Sequence, residues 1–313
     1  MGNILTTTAP IFILMILGFI AVRTKLVSED GMVSMSKVVI YFTLPALIFS
    51  TLARMEFDEV IIPSYFFGYM IGSLIMLFGG LFLYSKIFKR PLSESTIRGV
   101  GMANSNSAFF AYPVMLLAFS NPPTAAFTMA LIIENIVVLP VTFMILEFSS
   151  SQGGDRSTWS MLKATAKRLT KNPLIIAVTA GLVASNLHVD LPATADRVLV
   201  MLSGASATLA LIVLGGSLVG NSVKGNARDI TIVTFGKLVL HPIAVGVMLF
   251  LMPGVDKTMI LGGILIAAVP MMSIYPIIGS AYGQRAICAS TLLVTTIASF
   301  FTLMVVLQVL SIQ

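Results

Sequence analysis

The chain has one cysteine, Cys288, which leaves no intramolecular disulfide and no cysteine-built metal cluster. Charge is equally scarce: 10% of the 313 residues are Asp, Glu, Lys or Arg, 57% are hydrophobic, and the mean hydropathy is +0.98. Soluble domains carry about 25% charged residues because their surface meets water. A chain this poor in charge can cover itself only with lipid. No glycine-rich phosphate loop, metal-ligand spacing, Ser–His–Asp pattern or aspartate pair at membrane depth occurs. An enzyme is therefore not expected, nor a cofactor, nor a metal. The net charge of +6 would suggest a nucleic-acid partner in a soluble protein. Here it follows from membrane topology, and no nucleic acid is expected.

What is present is a series of long apolar runs, expected over 4–22, 33–53, 60–85, 95–120, 123–147, 172–188, 194–220, 229–252, 257–281 and 286–311. About 20 apolar residues cross a hydrocarbon core as helix. Unpaired backbone groups in lipid exclude irregular structure, and the short alternating strands of a membrane barrel are missing. The expected fold is an all-α polytopic membrane protein of about ten spans. The N-terminus does not read as a cleaved leader, because Arg23 and Lys25 follow its apolar run rather than precede it.

Lys and Arg divide unevenly between alternate loops. Fourteen (Arg23, Lys25, Lys86, Lys89, Arg90, Arg98, Arg156, Lys163, Lys167, Arg168, Lys171, Lys224, Arg228 and Arg285) fall on one side and three (Arg54, Arg197 and Lys257) on the other. The basic side is expected in the cytoplasm of a cell membrane, with both termini outside. The longest polar segment, 148–171, separates 1–147 from 172–313, five spans each. Five is odd, so the second half enters the membrane inverted. Within Trp159–Lys171, Trp159, Leu162, Ala166 and Leu169 share a face opposite Lys163, Lys167, Arg168 and Lys171. That pattern fits an interfacial helix on anionic membrane lipids, or a solvated basic linker.

Two spans carry polar interruptions. The fourth contains Asn104, Ser105, Asn106 and Ser107 and then Tyr112-Pro113; the ninth contains Pro270, Ser273 and Tyr275-Pro276. Four consecutive polar side chains at midmembrane are costly unless they meet water, ions or each other. Proline lacks the helix donor and disfavours helix before it, so a break is expected just ahead of Pro113, with a new half-helix starting there. Matching breaks in inverted halves point to a midmembrane binding site; proline kinks used only for packing are the alternative.

Glu134, followed by Asn135, lies near the centre of the fifth span. It is a candidate to carry a proton or ligate sodium, or else a carboxyl bonded between helices. His241, just before Pro242, is comparably deep, and Lys237 lies one turn nearer the cytoplasm, where its ammonium can snorkel to the interface. Either could approach Glu134. The pairs Gly79-Gly80, Gly215-Gly216 and Gly262-Gly263 suit close helix approach.

The segments IYFTLPALIFSTLARMEF, ANSNSAFFAYPVM and AVPMMSIYPIIGSAYG resemble the auxin efflux carrier family, which includes plant auxin carriers and bacterial organic-acid permeases. The resemblance covers nearly the whole chain. It implies two inverted five-helix repeats with the fold of bile-acid symporters and sodium/proton antiporters. Spans 1, 2, 6 and 7 would form a scaffold and spans 3–5 and 8–10 an elevator-like transport unit, with Pro113 and Pro276 where the broken helices cross. It further implies a small organic-anion substrate, such as malate, malonate or an auxin-like acid, met by the Asn104–Asn106 region and the ninth-span break. A proton or sodium would be the coupling ion and a homodimer the assembly. A bile-acid-type sodium symporter and a non-transporting membrane sensor are the competing readings. The central loop is short, so the loop regulation of plant members does not carry over.

Overall fold

A computed structural model describes residues 2–55, 61–150, 170–220 and 226–309, with the backbone alone for 2–8 and 150. Most of the basic segment Trp159–Lys171 and of the loop 54–59 lies outside the described residues. The described chain is helical, without strands. Its helices are α1 (Gly2–Arg23), α2 (Glu29–Leu52), α3 (Pro63–Ile87), α4 (Leu92–Ala103), α5 (Tyr112–Ala118), α6 (Thr124–Ser149), α7 (Pro173–Asn186), α8 (Ala193–Gly216), α9 (Ala227–Leu251), α10 (Lys257–Ala268), α11 (Tyr275–Ser280) and α12 (Arg285–Val309).

Six of these (α2, α3, α6, α8, α9 and α12) are long and apolar enough to cross a membrane; Ala9–Arg23, α7 and α10 are shorter apolar helices. Large apolar side chains such as Ile16, Phe82, Phe148, Phe250 and Phe301 stand exposed on the outer faces, which suits lipid rather than water. Short polar residues start the helices. Ser28 accepts from Gly31 N–H, Asn172 from Leu174, Asn226 from Arg228 and Asp256 from Met259, so orphan donors are capped at these helix starts.

Four of the spans carry a wide π-turn directly ahead of an X-Pro pair. Val39–Thr43 precedes Leu44-Pro45, Ser107–Ala111 precedes Tyr112-Pro113, Glu134–Val138 precedes Leu139-Pro140, and Gly236–Leu240 precedes His241-Pro242. In each, the residue before proline donates to the carbonyl five positions back, as Tyr112 N–H does to Ser107. Proline cannot use the carbonyl four positions back and its ring collides with it. The extra residue of a π-turn relieves that collision without breaking the helix.

The break in the fourth span is therefore not where the proline rule puts it. Helix α4 ends at Ala103, the backbone is non-helical over 104–106, and helical structure resumes at Ser107 and runs through Pro113. The polar residues, not the proline, open the chain. In the ninth span the expectation holds: α10 ends at Ala268 and α11 begins at Tyr275-Pro276.

Packing follows two groups. Helix α1 runs along α8, and α2 packs on α7 and α8; α3 packs on α4 and α9, α4 on α6, α9 on α10 and α12. The α1–α8 contact is backbone to backbone, since a Cβ at Gly215 would overlap the Met15 carbonyl oxygen and one at Gly18 the Ile212 carbonyl oxygen. Gly79, by contrast, has nothing near it and mediates no close approach. At one end, Arg98 is buried, with Nε 3.0 Å and one terminal nitrogen 2.9 Å from Asp229 Oδ2. This ties α4 to α9. Read from sequence as a loop cation, Arg98 is a core residue. At the other end Arg54 pairs with Asp196 between α2 and α8.

Candidate functional site

The two breaks touch. Asn106 N–H donates to the Pro270 carbonyl at 2.9 Å, and Asn106 Nδ2 donates to Ser273 Oγ at 2.8 Å. Each interruption thus satisfies polar groups that the other exposes. The Asn106 carbonyl in turn accepts from Phe110 and Ala111, which restarts the helix.

Glu134, in the π-turn of α6, reaches this crossing and is 3% exposed. Its Oε2 accepts from Ser107 Oγ at 2.6 Å; its Oε1 accepts from Tyr69 Oη at 3.1 Å and from Ser105 N–H at 3.3 Å. Three donors around an acceptor-only group match a carboxylate. Opposite it lies Lys237, in the π-turn of α9. Its ammonium does not snorkel: Lys237 is 0% exposed, and Nζ donates to the Ala267 carbonyl at 2.6 Å, Ser105 Oγ at 2.9 Å and His241 Nδ1 at 2.9 Å. Three acceptors match the three hydrogens of an ammonium. The side chain is wholly enclosed by protein, and local acceptors replace water. Ser105 bridges the two ions, with its N–H on the acid and its Oγ on the base. On the far side, His241 Nε2 is 3.1 Å from Ser73 Oγ, and the His241 and Tyr69 rings meet edge to face at 6.3 Å.

Two polar atoms beside this network have no hydrogen-bond partner: Asn104 Nδ2 and Tyr65 Oη, both in buried residues. An unpaired buried amide costs about 1–3 kcal/mol, and Asn104 carries one at the break. Asn135 turns elsewhere, giving its Nδ2 to the Leu131 carbonyl at 2.8 Å and accepting from Asn172 at 3.4 Å, so it is tied to α7 and not to the crossing. Tyr112 stacks on Phe127 at 4.2 Å and meets Thr124 Oγ1 at 3.5 Å, while Tyr275 packs against Gly101. Neither tyrosine bonds the asparagines.

Reading the sequence missed Tyr65, Tyr69 and Ser73. Their spacing of four was the available signal, since it sets all three on one face of α3, and all three are 0% exposed. The Ala267 carbonyl could not be seen in side-chain patterns at all. No group of three His, Cys, Asp or Glu able to hold a metal occurs among the described residues.

The chain is thus a polytopic helical protein with a buried carboxyl and a buried amine joined through Ser105 at two touching helix breaks, and comparison places it among membrane transporters. A family model described as "Membrane transport protein" matches residues 3–307. The chain belongs to this family, that of the auxin efflux carriers which its motifs resemble. It is 27% identical over 309 residues to a Rhizobium meliloti (strain 1021) protein named "Putative malonate transporter", covering 96% of this chain and 94% of that one. It is 26% identical over 243 residues to the "Uncharacterized transporter YfdV" of Escherichia coli (strain K12), covering 75% and 74%. In fold it is similar to a sodium proton antiporter from Methanocaldococcus jannaschii, with a TM-score of 0.53, 13% identity, and coverage of 96% of this chain and 90% of that structure.

Proposed function

We propose that this membrane transporter is a secondary carrier of a small organic anion, with a dicarboxylate of the malonate or malate type as the first candidate. The observation that carries the reading is the crossing: Asn104 with an unpartnered amide donor, beside Asn106 and Ser273, at the meeting of two interrupted helices. Polar donors at such breaks are how membrane proteins receive anions. The substrate class also draws on the relative named for malonate.

The proposed mechanism moves one group of helices past another. Helices α1, α2, α7 and α8 form the scaffold of two inverted five-span repeats, and α3–α6 with α9–α12 form the body that carries the crossing past it. The contacts that group α1 with α8 and α2 with α7 and α8 support this division. The protein sits in the cell membrane with the basic loops in the cytoplasm. Glu134 couples transport to protons: its carboxylate reads out the Ser105 and Ser107 donors at the break, so protonation would free those donors. The test is uptake of labelled organic acids by purified protein in liposomes, with and without a proton gradient. We expect accumulation of a small dicarboxylate, and in Glu134→Gln retained binding without response to the gradient. No flux of any acid would refute the carrier reading in favour of a sensor; gradient-driven accumulation by Glu134→Gln would remove the coupling role.

A further inference from the structure

We propose that the Lys237 ammonium fills a cation site at the C-terminal end of α10, as a tethered counterpart of a coupling metal ion, so that this chain binds and requires no sodium. The site is built from the helix end. Helix α10 stops at Ala268 and Val269 is extended (φ −80°, ψ 164°). Pro270 follows without an N–H, so the last carbonyls of α10 lack helical partners and carry the negative end of its dipole. Unwound carbonyls and half-helix C-termini at midmembrane are where transporters of this architecture hold sodium. Here the Ala267 carbonyl points at Nζ at 2.6 Å, and Ser105 Oγ, from the other break, adds a second oxygen at 2.9 Å. A carbonyl and a hydroxyl are hard oxygen donors suited to an alkali cation. Glu134 supplies the negative charge close by, through the same Ser105. The third partner, His241 Nδ1 at 2.9 Å, is a nitrogen that suits an ammonium hydrogen better than sodium. Lys237 is held in place by the π-turn Gly236–Leu240 and is wholly buried, so it cannot vacate the position by swinging to solvent.

The proposal extends the carrier reading, but its first test does not depend on transport. Thermal stability of the purified protein is measured in sodium, potassium and choline chloride at equal ionic strength. Wild type is expected to show the same melting temperature in all three. Lys237→Ala, which empties the site while leaving its oxygens, is expected to gain a sodium-specific rise of several degrees, and Lys237→Ser, which adds an oxygen, a larger one. Sodium-specific stabilisation of wild type, or a folded Lys237→Ala and Lys237→Ser pair indifferent to sodium, would overturn the proposal. If neither variant can be purified, wild type still decides, by direct binding of radioactive sodium: none is expected, and saturable binding refutes. In liposomes, wild-type uptake should be unchanged when choline replaces sodium. A sodium-dependent wild type refutes the proposal while upholding transport; sodium binding gained by Lys237→Ala without any acid flux upholds the site while refuting transport.

Discussion

Replacing Glu134 by Gln keeps its shape and removes the charge that Lys237 meets through Ser105. The amide oxygen can still accept from Tyr69 and from Ser105 N–H, while the amide nitrogen faces Ser107 Oγ, which must turn to accept. Exchanging that one charge-assisted bond for a neutral one costs about 1 kcal/mol. The larger cost is a buried ammonium left without the counter-charge it meets through Ser105, at most the about 3–5 kcal/mol lost when one partner of a directly bonded buried pair is removed. Lys237→Met should fall in the same range, because it strands the carboxylate and leaves the Ala267 carbonyl unmet. The double variant contains no lone buried charge. It should be more stable than the sum of the singles implies, by about 2–3 kcal/mol. The assay is denaturant unfolding in mixed micelles in sodium-free buffer, so that no metal ion substitutes for Lys237. Additivity within about 0.5 kcal/mol would show that the two groups do not sense each other, and the reading of the crossing as one electrostatic unit joined by Ser105 would fail.

Asn104→Ala and Asn106→Ala should separate stability from uptake differently. Asn104 Nδ2 has no partner to lose, so Asn104→Ala should unfold within about 0.5 kcal/mol of wild type yet lose most uptake, whereas Asn106→Ala should also lose about 1 kcal/mol with its Ser273 bond; uptake loss that merely tracks instability would contradict this. Single cysteines in a Cys288→Ala background should be labelled from outside intact cells at position 54 and not near position 155. Gly215→Val should drive α1 from α8 against the Met15 carbonyl and cost at least about 3 kcal/mol, read as loss of folded, monodisperse protein. In nanodiscs the mass of a homodimer is expected, joined through α2 and α8, and a uniform monomer would refute that arrangement.

The reach of the sequence differed between backbone and site. Apolar runs located the outer limits of the described helical segments to within a few residues, because lipid leaves the chain so few alternatives. The same rule that made Asn104–Ser107 conspicuous also found Glu134, Lys237 and His241, since ionisable groups at depth are rare. What it could not reveal was which of them meet. Lys237 was as consistent with snorkelling as with burial, and only the π-turn fixes which way it faces. The break itself was misplaced toward Pro113 because proline has two escapes, a kink or a wide turn, and sequence does not choose between them. Arg98 looked like one more loop cation, for its partner Asp229 is distant in sequence and supplied by another helix. Tyr69 and Ser73 were hidden in an apolar run, where a hydroxyl on one face hardly alters its character.

Glu134 and Lys237 both lie in segments where the helix carries one residue more than an α-turn needs. A helix is a screw thread of about 100° per residue, so each surplus residue turns everything on one side of it relative to the other. Pro140 and Pro242, several residues from any charge, therefore act as aiming devices. Losing the proline together with one residue of its turn would restore a regular helix and leave the span able to cross the membrane. It would also rotate the carboxylate or the ammonium off the crossing. Length changes of one residue at 134–138 or 236–240 would thus leave the span long enough to cross while parting a buried charge from its partners, so what these turns hold is register and not length.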